Sequence, residues 1–597
     1  MRKSKLFATA AGTVALATVA AACSNSSGSS GNTSTSSFNA GLSSVVNASS
    51  HQGGTLRLAQ SQDWDSPDTG NTYYAYSWDF LRLYSRSLLT YAQKPGAAGL
   101  QLVPDLATDL GTVSSDGLTW TFHIRQGVKF QDGTPVTSQD VKYAVERSNW
   151  GQDTLVNGPA YFLQYVEDTT KYAGPYKDKN PNDGVSGITT PDSSTIAFKL
   201  TQKFADFPYL AALPSTAPVE RSKDTGANYA TGYQSTGQYE IQNYTPGKGM
   251  TLVPNPQFDA ATDPNGIHKV TASKITVQVN VNQDQIDQGL LHGTYDVDLS
   301  GVGVGNTAQA QILASPSLKA QADDGYSGAL TYMTMNTQVQ PFDNVDCRKA
   351  VEYAVDKTAV QAALGGSIGG GDIASTVMPP NLTGYQASNI YATPGNQGDA
   401  NQAKAELAKC KTAEPAAFDA NGGFSANISA RAERPKEVNA AIAIQNSLKA
   451  IGINVTIQKF TGGKYFSDFA GNQNYAKTNK IGLSMMKWGA DWPDGFGFMD
   501  QTVTKDGIHS GGGSSNLGNY DSPVVDGLFA QALGTTDPNT RAGLWTQIDK
   551  QVMSDAAIVP LIYNKSLIFH PANVTNWYIQ NSFGEPDFSV LGTTSGS

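Results

Sequence analysis

The apolar positions of this chain change period several times, and each change marks an element. At residues 53–60 a Gly-Gly pair precedes Leu56 and Leu58 alternating with polar neighbours, which predicts a strand. Residues 119–124 alternate in the same way. With residues 127–130 and the turn Asp132-Gly133 they predict a hairpin, and Thr137 or Ser138 then caps a helix carrying Val141, Tyr143, Ala144 and Val145. Residues 274–279 read as a strand, and Ile286 to Leu291 as a helix ending at Gly293. The clearest unit is at 436–458. Ala441, Ile444, Leu448 and Ile451 share a helical face, Gly452 falls where a left-handed C-cap belongs, and Ile453, Val455 and Ile457 alternate at strand spacing. Strands interleaved with helices predict an α/β architecture.

The first residues are of another kind. Arg2, Lys3 and Lys5 precede a run, Leu6 to Ala22, of apolar residues, Gly and Thr, which is the order of parts in a signal peptide. Ala20-Ala21-Ala22-Cys23 resembles a lipoprotein cleavage box, with Ala20 in the place usually held by Leu. Ordinary secretory cleavage nearby is the competing reading. The next stretch favours the lipid, because Ser24 to Ser37 is Ser, Gly, Asn and Thr throughout, a tether without apolar area to bury. Residues 1–22 are therefore expected to be a signal peptide and 23–52 a tether anchored by lipid on Cys23, which places the protein on the outer face of the cell membrane.

Roughly 540 residues follow, enough for more than one core. Formal net charge is −10, and loss of Arg2, Lys3 and Lys5 leaves −13, so nothing resembles the basic face that nucleic acid demands. Of three cysteines, Cys347 and Cys410 remain once Cys23 is assigned, and an even pair in an oxidising compartment predicts a disulfide.

Catalytic patterns fail on context. Gly365-Gly366-Ser367-Ile368-Gly369 matches a hydrolase elbow in letters, but the helical period of Arg348 to Leu364 precedes it where a strand is required. Thr461-Gly462-Gly463-Lys464 lacks the upstream glycine and following hydroxyl of a phosphate loop. The six histidines are scattered, without metal-ligand spacing. No catalytic residue, metal or cofactor is expected.

From about Gly53 onward the chain resembles the oligopeptide- and dipeptide-binding proteins of ABC importers, the extracellular solute-binding proteins of family 5. The resemblance is carried by Leu102-Val103-Pro104-Asp105-Leu106-Ala107, by Ser115 to Arg125, and by Val128 to Thr137 with Asp140-Val141. Ser235-Thr236-Gly237-Gln238-Tyr239 follows, with Gln238 in place of the usual proline. Met335-Asn336-Thr337, Pro341-Phe342-Asp343, Arg348-Lys349-Ala350, Lys487 to Asp494 and Ile558 to Leu561 complete the order.

The resemblance implies a two-lobed periplasmic-binding-protein-like (type II) fold with an extra domain inserted in the N-terminal lobe. Domain I would hold 53–88, 206–325 and 564–597, domain II 89–205, and domain III 326–563. It implies a monomer that captures a peptide between closing lobes and hands it to ABC permease and ATPase subunits. An oligosaccharide or another small solute, or a role as a peptide-signal sensor, remains the alternative. Trp488-Gly489-Ala490-Asp491 matches the segment whose aspartate pairs with the ligand's α-ammonium group, and capping a turn beside Pro493 is the other use Asp491 has. Trp488 and Trp492 offer a stacking wall. The aromatic stretch of Tyr73, Tyr74, Tyr76, Trp78 and Tyr84 offers either stacking surface or core, and Tyr84 is carried as a candidate contact.

Overall fold

The computed structural model describes residues 37–594 apart from 179, 181–183, 433, 462–463 and 510. The expectations for residues 1–22 and for Cys23 lie outside the described residues. Among the described residues no helix is long and apolar enough to cross a membrane.

Three sheets organise the α/β fold. The first takes the predicted strand Thr55–Ala59, its Leu56 and Leu58 buried, between Lys274–Gln278 and Val297–Asp298, both parallel to it. Gly249–Pro254 and Tyr239–Thr245 extend it to five strands. The helix Gln283–Leu291 is opened by Asn282, whose side chain accepts from the Asp284 N–H, and Gly293, at a φ of 74°, turns the chain after it.

The second sheet is antiparallel and has four strands, Thr112–Val113, Thr119–His123, Thr195–Lys199 and Ile188–Asp192 in spatial order. The predicted hairpin forms only at its turn, where residues 128–136 fold back around Asp132-Gly133 with the Phe130 N–H on the Thr134 carbonyl and the Val136 N–H on the Val128 carbonyl, while Thr119–His123 pairs with Thr112–Val113 and Thr195–Lys199. The chain leaves the sheet at Ile124, whose N–H donates to the Ser194 carbonyl, and the Arg125 guanidinium donates to the carbonyls of Asp105 and Ala107. The helix Ser138–Asn149 starts as expected, capped by Thr137, whose N–H and hydroxyl both donate to the Asp140 carboxylate.

The third sheet has six strands, in the order Gly371–Ile373, Ile558–Phe569, Ala322–Met335, Ile481–Gly489, Phe424–Arg431, Ile453–Phe460. The helix Pro435–Lys449 buries Ala441, Ile444 and Leu448, Gly452 turns at a φ of 92°, and Ile453–Phe460 returns parallel to Phe424–Arg431. The helical run at 348–364 is two helices, Val345–Ala354 and Lys357–Leu364. Asp356 ends the continuity by accepting from the N–H groups of Thr358 and Ala359. Ser367 follows the second helix, not a strand, so the hydrolase elbow is absent.

Ala322–Met335 and Ile558–Phe569 run antiparallel along most of their length and reach beyond the third sheet. At one end Asp323 accepts from the Gly41 N–H and the Trp577 indole, while at the other Thr334 and Met335 pair with Ser484 and Leu483. The expected domain limits at 325/326 and 563/564 lie close together in this pair, where Tyr326 faces Lys565 and the register shifts before Leu330.

Cys347 and Cys410 are bonded and fully buried, tying Val345–Ala354 to Ala400–Ala413 across 63 residues. Loop closure of that length stabilises the fold by about 4 kcal/mol. Replacing both cysteines by alanine is expected to lower the urea midpoint accordingly, and an unchanged midpoint would contradict a stabilising bridge.

Candidate ligand-binding site

The site grows from the end of the Ile481–Gly489 strand. Beyond Gly489 the Ala490 N–H still reaches the Gly328 carbonyl at 3.4 Å, and the chain then turns so that the Asp491 N–H donates to the Gly497 carbonyl at 3.1 Å. Asp494 caps the helix Gly495–Val503 through the Phe496 N–H. One strand end and one helix start thereby fix Asp491 and Trp492 in direction.

Trp492 is fully buried between rings from both sides of a cleft. Phe496 stacks on it at 5.5 Å, Tyr209 at 6.1 Å, and the edge of Tyr161 meets it at 5.0 Å. Its indole donates to Asp206 at 3.3 Å. Asp206 also receives Arg541 at 3.1 Å, and Asp494 lies 3.9 Å from the same guanidinium. Burial raises both carboxyls above the usual carboxylate range, and repulsion from Asp206 adds to the rise at Asp494. Further along, Phe204 packs on Phe496 at 5.2 Å and the Ala205 N–H donates to the Leu533 carbonyl. Residues 161–209 are thus clasped to residues 491–541.

Beside this clasp lies a cavity of about 90 Å³, walled by Tyr73, Tyr74, Trp78, Tyr91, Tyr209 and Phe583, with Ala490 and Asp491 closing one side. Three ionisable side chains other than tyrosines line it, Arg82, Asp105 and Asp491, and two are already matched. Arg82 is held by Asp79 at 2.6 Å and Asp587 at 3.0 Å, and Asp105 by Arg86 and His268. Among the described residues Asp491 has no such cation. Its carboxylate accepts from the Tyr161 hydroxyl, which lies 3.3 Å from the Tyr73 hydroxyl. Burial pushes the Asp491 carboxyl up to about 6, against the lowering effect of the two phenols. A desolvated carboxylate facing aromatic walls suits a cationic group, which would gain both charge compensation and ring contact.

The candidate residues separate. Asp491 reaches the cavity. Trp488 is half-buried on the neighbouring strand position, opposite Leu330, and its indole N–H is buried without a partner. Trp492 lies behind the cavity wall in the clasp. Tyr84 is placed elsewhere: it is fully buried, packed on Phe80 and Tyr233, and donates its hydroxyl to the Pro67 carbonyl at 2.8 Å, so it is core. Tyr73, Tyr74 and Trp78, from the same aromatic stretch, are the ones brought to the cavity. Tyr161, Asp206 and Arg541 carried no signal in sequence, because their roles arise from contacts across 330, 286 and 335 residues.

Comparison with known proteins gives the following. A model described as bacterial extracellular solute-binding proteins, family 5 Middle, matches residues 101–510. The chain is 26% identical over 521 residues to the probable D,D-dipeptide-binding periplasmic protein DdpA of Escherichia coli K12, covering 85% of this chain and 88% of that protein. It is 24% identical over 463 residues to the periplasmic oligopeptide-binding protein OppA of the same strain, covering 75% and 77%. Its fold is similar to the solved structure of clavulanic acid biosynthesis oligopeptide binding protein 2, with a TM-score of 0.88, 37% identity, and coverage of 94% of this chain and 99% of that one.

The raised pKa of Asp491 has a sign. Its contribution to stability is full below the ordinary range near 4 and is lost as pH rises through about 6. Asp491→Asn removes the buried charge, so the ligand-free variant should exceed the parent in stability at about pH 8 and match it near pH 4, by urea midpoints. A parent more stable than the variant at the higher pH would contradict an uncompensated carboxylate.

Proposed function

Because this chain belongs to family 5 of the bacterial extracellular solute-binding proteins, we propose that its solute is a peptide, gripped by its α-ammonium group at Asp491. The protein is the solute-binding subunit of an ABC importer, works outside the cytoplasm and is not an enzyme. The peptide, the residues that hold it, the lipid on Cys23 and the permease that receives the cargo belong to the proposal.

One observation carries the reading: a half-buried carboxylate in an aromatic cavity, with phenols as its neighbours and no cation paired with it among the described residues. An ammonium group offers three donors and a full charge, where Tyr161 offers a single neutral donor. The relatives named above as dipeptide- and oligopeptide-binding agree with it. The wall of Tyr73, Tyr74 and Trp78 alone would equally suit a sugar ring, but a sugar leaves the carboxylate uncompensated.

The strand end adds a second element. Phe424–Arg431 pairs with Ile481–Gly489 from Ile481 to Ser484, and beyond Met485, whose carbonyl accepts from the Tyr465 hydroxyl, the outer edge carries no strand among the described residues. Extended peptides recognise such edges through main-chain bonds, which give affinity without regard to side chains. Ligand entry requires the clasp around Trp492 to part, and the strand pair Ala322–Met335 and Ile558–Phe569 is where we place the hinge. The ligand then favours the closed form by its differential affinity for it.

The test is thermal shift and calorimetry with a peptide library and an oligosaccharide set. Peptides with free amino termini should stabilise the protein, and N-acetylation or Asp491→Asn should each weaken binding by about tenfold or more. Equal binding of acetylated and free peptides would sink the ammonium assignment, and stabilisation by sugars alone would sink the peptide.

A further inference from the structure

The glycine-rich run 365–371 matches a hydrolase elbow in letters only, and its contacts give it another use. It leaves the helix Lys357–Leu364 and enters the edge strand Gly371–Ile373. Gly365, Gly366, Gly369 and Gly371 have φ angles from 71° to 139°, a region that side chains disfavour. Both feet of the loop are tied to their own side. The Gly371 N–H donates to the Gly366 carbonyl at 3.1 Å, the Gln361 amide donates to the Gly371 carbonyl at 2.8 Å, and Gly371 pairs with Asn564.

The tip reaches the other way. Ile368 is half-buried against a small separate core that includes Ile286, Ile312, Ala322 and Phe569. Its carbonyl accepts from the Gln309 amide at 3.0 Å, on the helix Asn306–Ala314, and the Gly369 N–H donates to the Asp324 carboxylate at 2.9 Å. Asp324 is itself fixed from behind. Its N–H donates to the Asn39 side-chain oxygen at 2.8 Å, and the Ala322 carbonyl accepts from the Asn39 N–H at 3.0 Å. Gln309, Ile312, Ala322 and Asp324 precede the expected domain limit at 325/326 and the loop follows it, so the tip crosses from one side of that limit to the other.

We propose that the loop 365–371 is a latch across the hinge, in which Ile368 and the Gly369 N–H, seated on residues 309–324, hold the two lobes in the closed arrangement. The proposal rests on the hinge placed above in the strand pair Ala322–Met335 and Ile558–Phe569. Hydrogen bonds weaken steeply with distance and angle, so rotation about that pair breaks the Gln309 and Asp324 contacts and returns Ile368 to water. No latch residue lines the cavity beside Asp491. Affinity is therefore set in part away from the ligand, because the binding-competent population scales with the closed fraction.

The experiment measures the distance between spin labels at Val156→Cys and Val524→Cys in the ligand-free protein. Both valines are exposed and lie on opposite sides of the clasp around Trp492. A Cys23→Ser background leaves the buried Cys347–Cys410 bridge as the only other cysteines. Ile368→Ser and Gln309→Ala, both at half-buried positions, should each raise the ratio of long to short distances by about threefold or more. An unchanged ratio, a shift toward the short distance, or a parent already wholly at the long distance overturns the latch. Arg541→Gln, which parts the clasp by leaving Asp206 unpaired, separates the two readings. If R541Q lengthens the distance and the loop variants do not, the hinge stands and the latch falls; if none of the three does, both fall.

Discussion

A carboxylate removed from water must find a positive charge or give up its own, and Asp491 is held where neither outcome is complete. It sits at a strand end that cannot move without disturbing the six-stranded sheet, behind tyrosines that donate hydrogen bonds but carry no charge. Its neighbours make the contrast plain. Arg82, Asp105, Arg431 and Asp206 are all buried charges with matched partners, so the fold is well able to pair ions where pairing serves stability. Asp491 differs from carboxylates such as Asp323, which backbone and indole N–H groups satisfy, in facing a cavity, and a carboxylate without a cation there is a cost of the kind carried at binding sites, to be offset by the ligand.

The clasp around Trp492 explains how that deficit is kept from water. Tyr161 and Tyr209 come from one side of the cleft and Phe496 from the other, and the Asp206–Arg541 pair bridges the same gap. In the closed form Tyr161 occupies the place on Asp491 that an ammonium group would take. Closure is thereby possible without ligand, and a ligand gains by the difference between a charged donor and a phenol. A modest difference suits a protein that must release its cargo as well as capture it.

Local patterns were legible in the sequence wherever one element met its own cap. The helix at 435–449, the turn at Gly452 and the strand after it appear as expected, because periodicity and a left-handed glycine are local properties. Strand partners were less legible, because Thr119–His123 pairs with Thr112–Val113 and with the distant Thr195–Lys199, whereas the helical period of 348–364 appears as two helices divided at Asp356. The site divides the same way. Asp491 stood out through the family segment around it, and the aromatic stretch at 73–84 was visible as composition. Which of its rings face the cavity and which, like Tyr84, face the core depends on packing that composition does not encode.

The central claim is that a ligand's ammonium group replaces a proton and a phenol at Asp491. Calorimetric titration with a free-amino peptide near pH 6, repeated in two buffers of different ionisation enthalpy, counts the protons exchanged on binding. With the Asp491 carboxyl at about 6 in the free protein, roughly half a proton should be released per peptide bound near pH 6, turning to uptake of roughly half a proton near pH 8, where the free peptide's amino group, ordinarily at about 8, must be protonated to bind. Proton exchange near zero at both pH values would contradict the account.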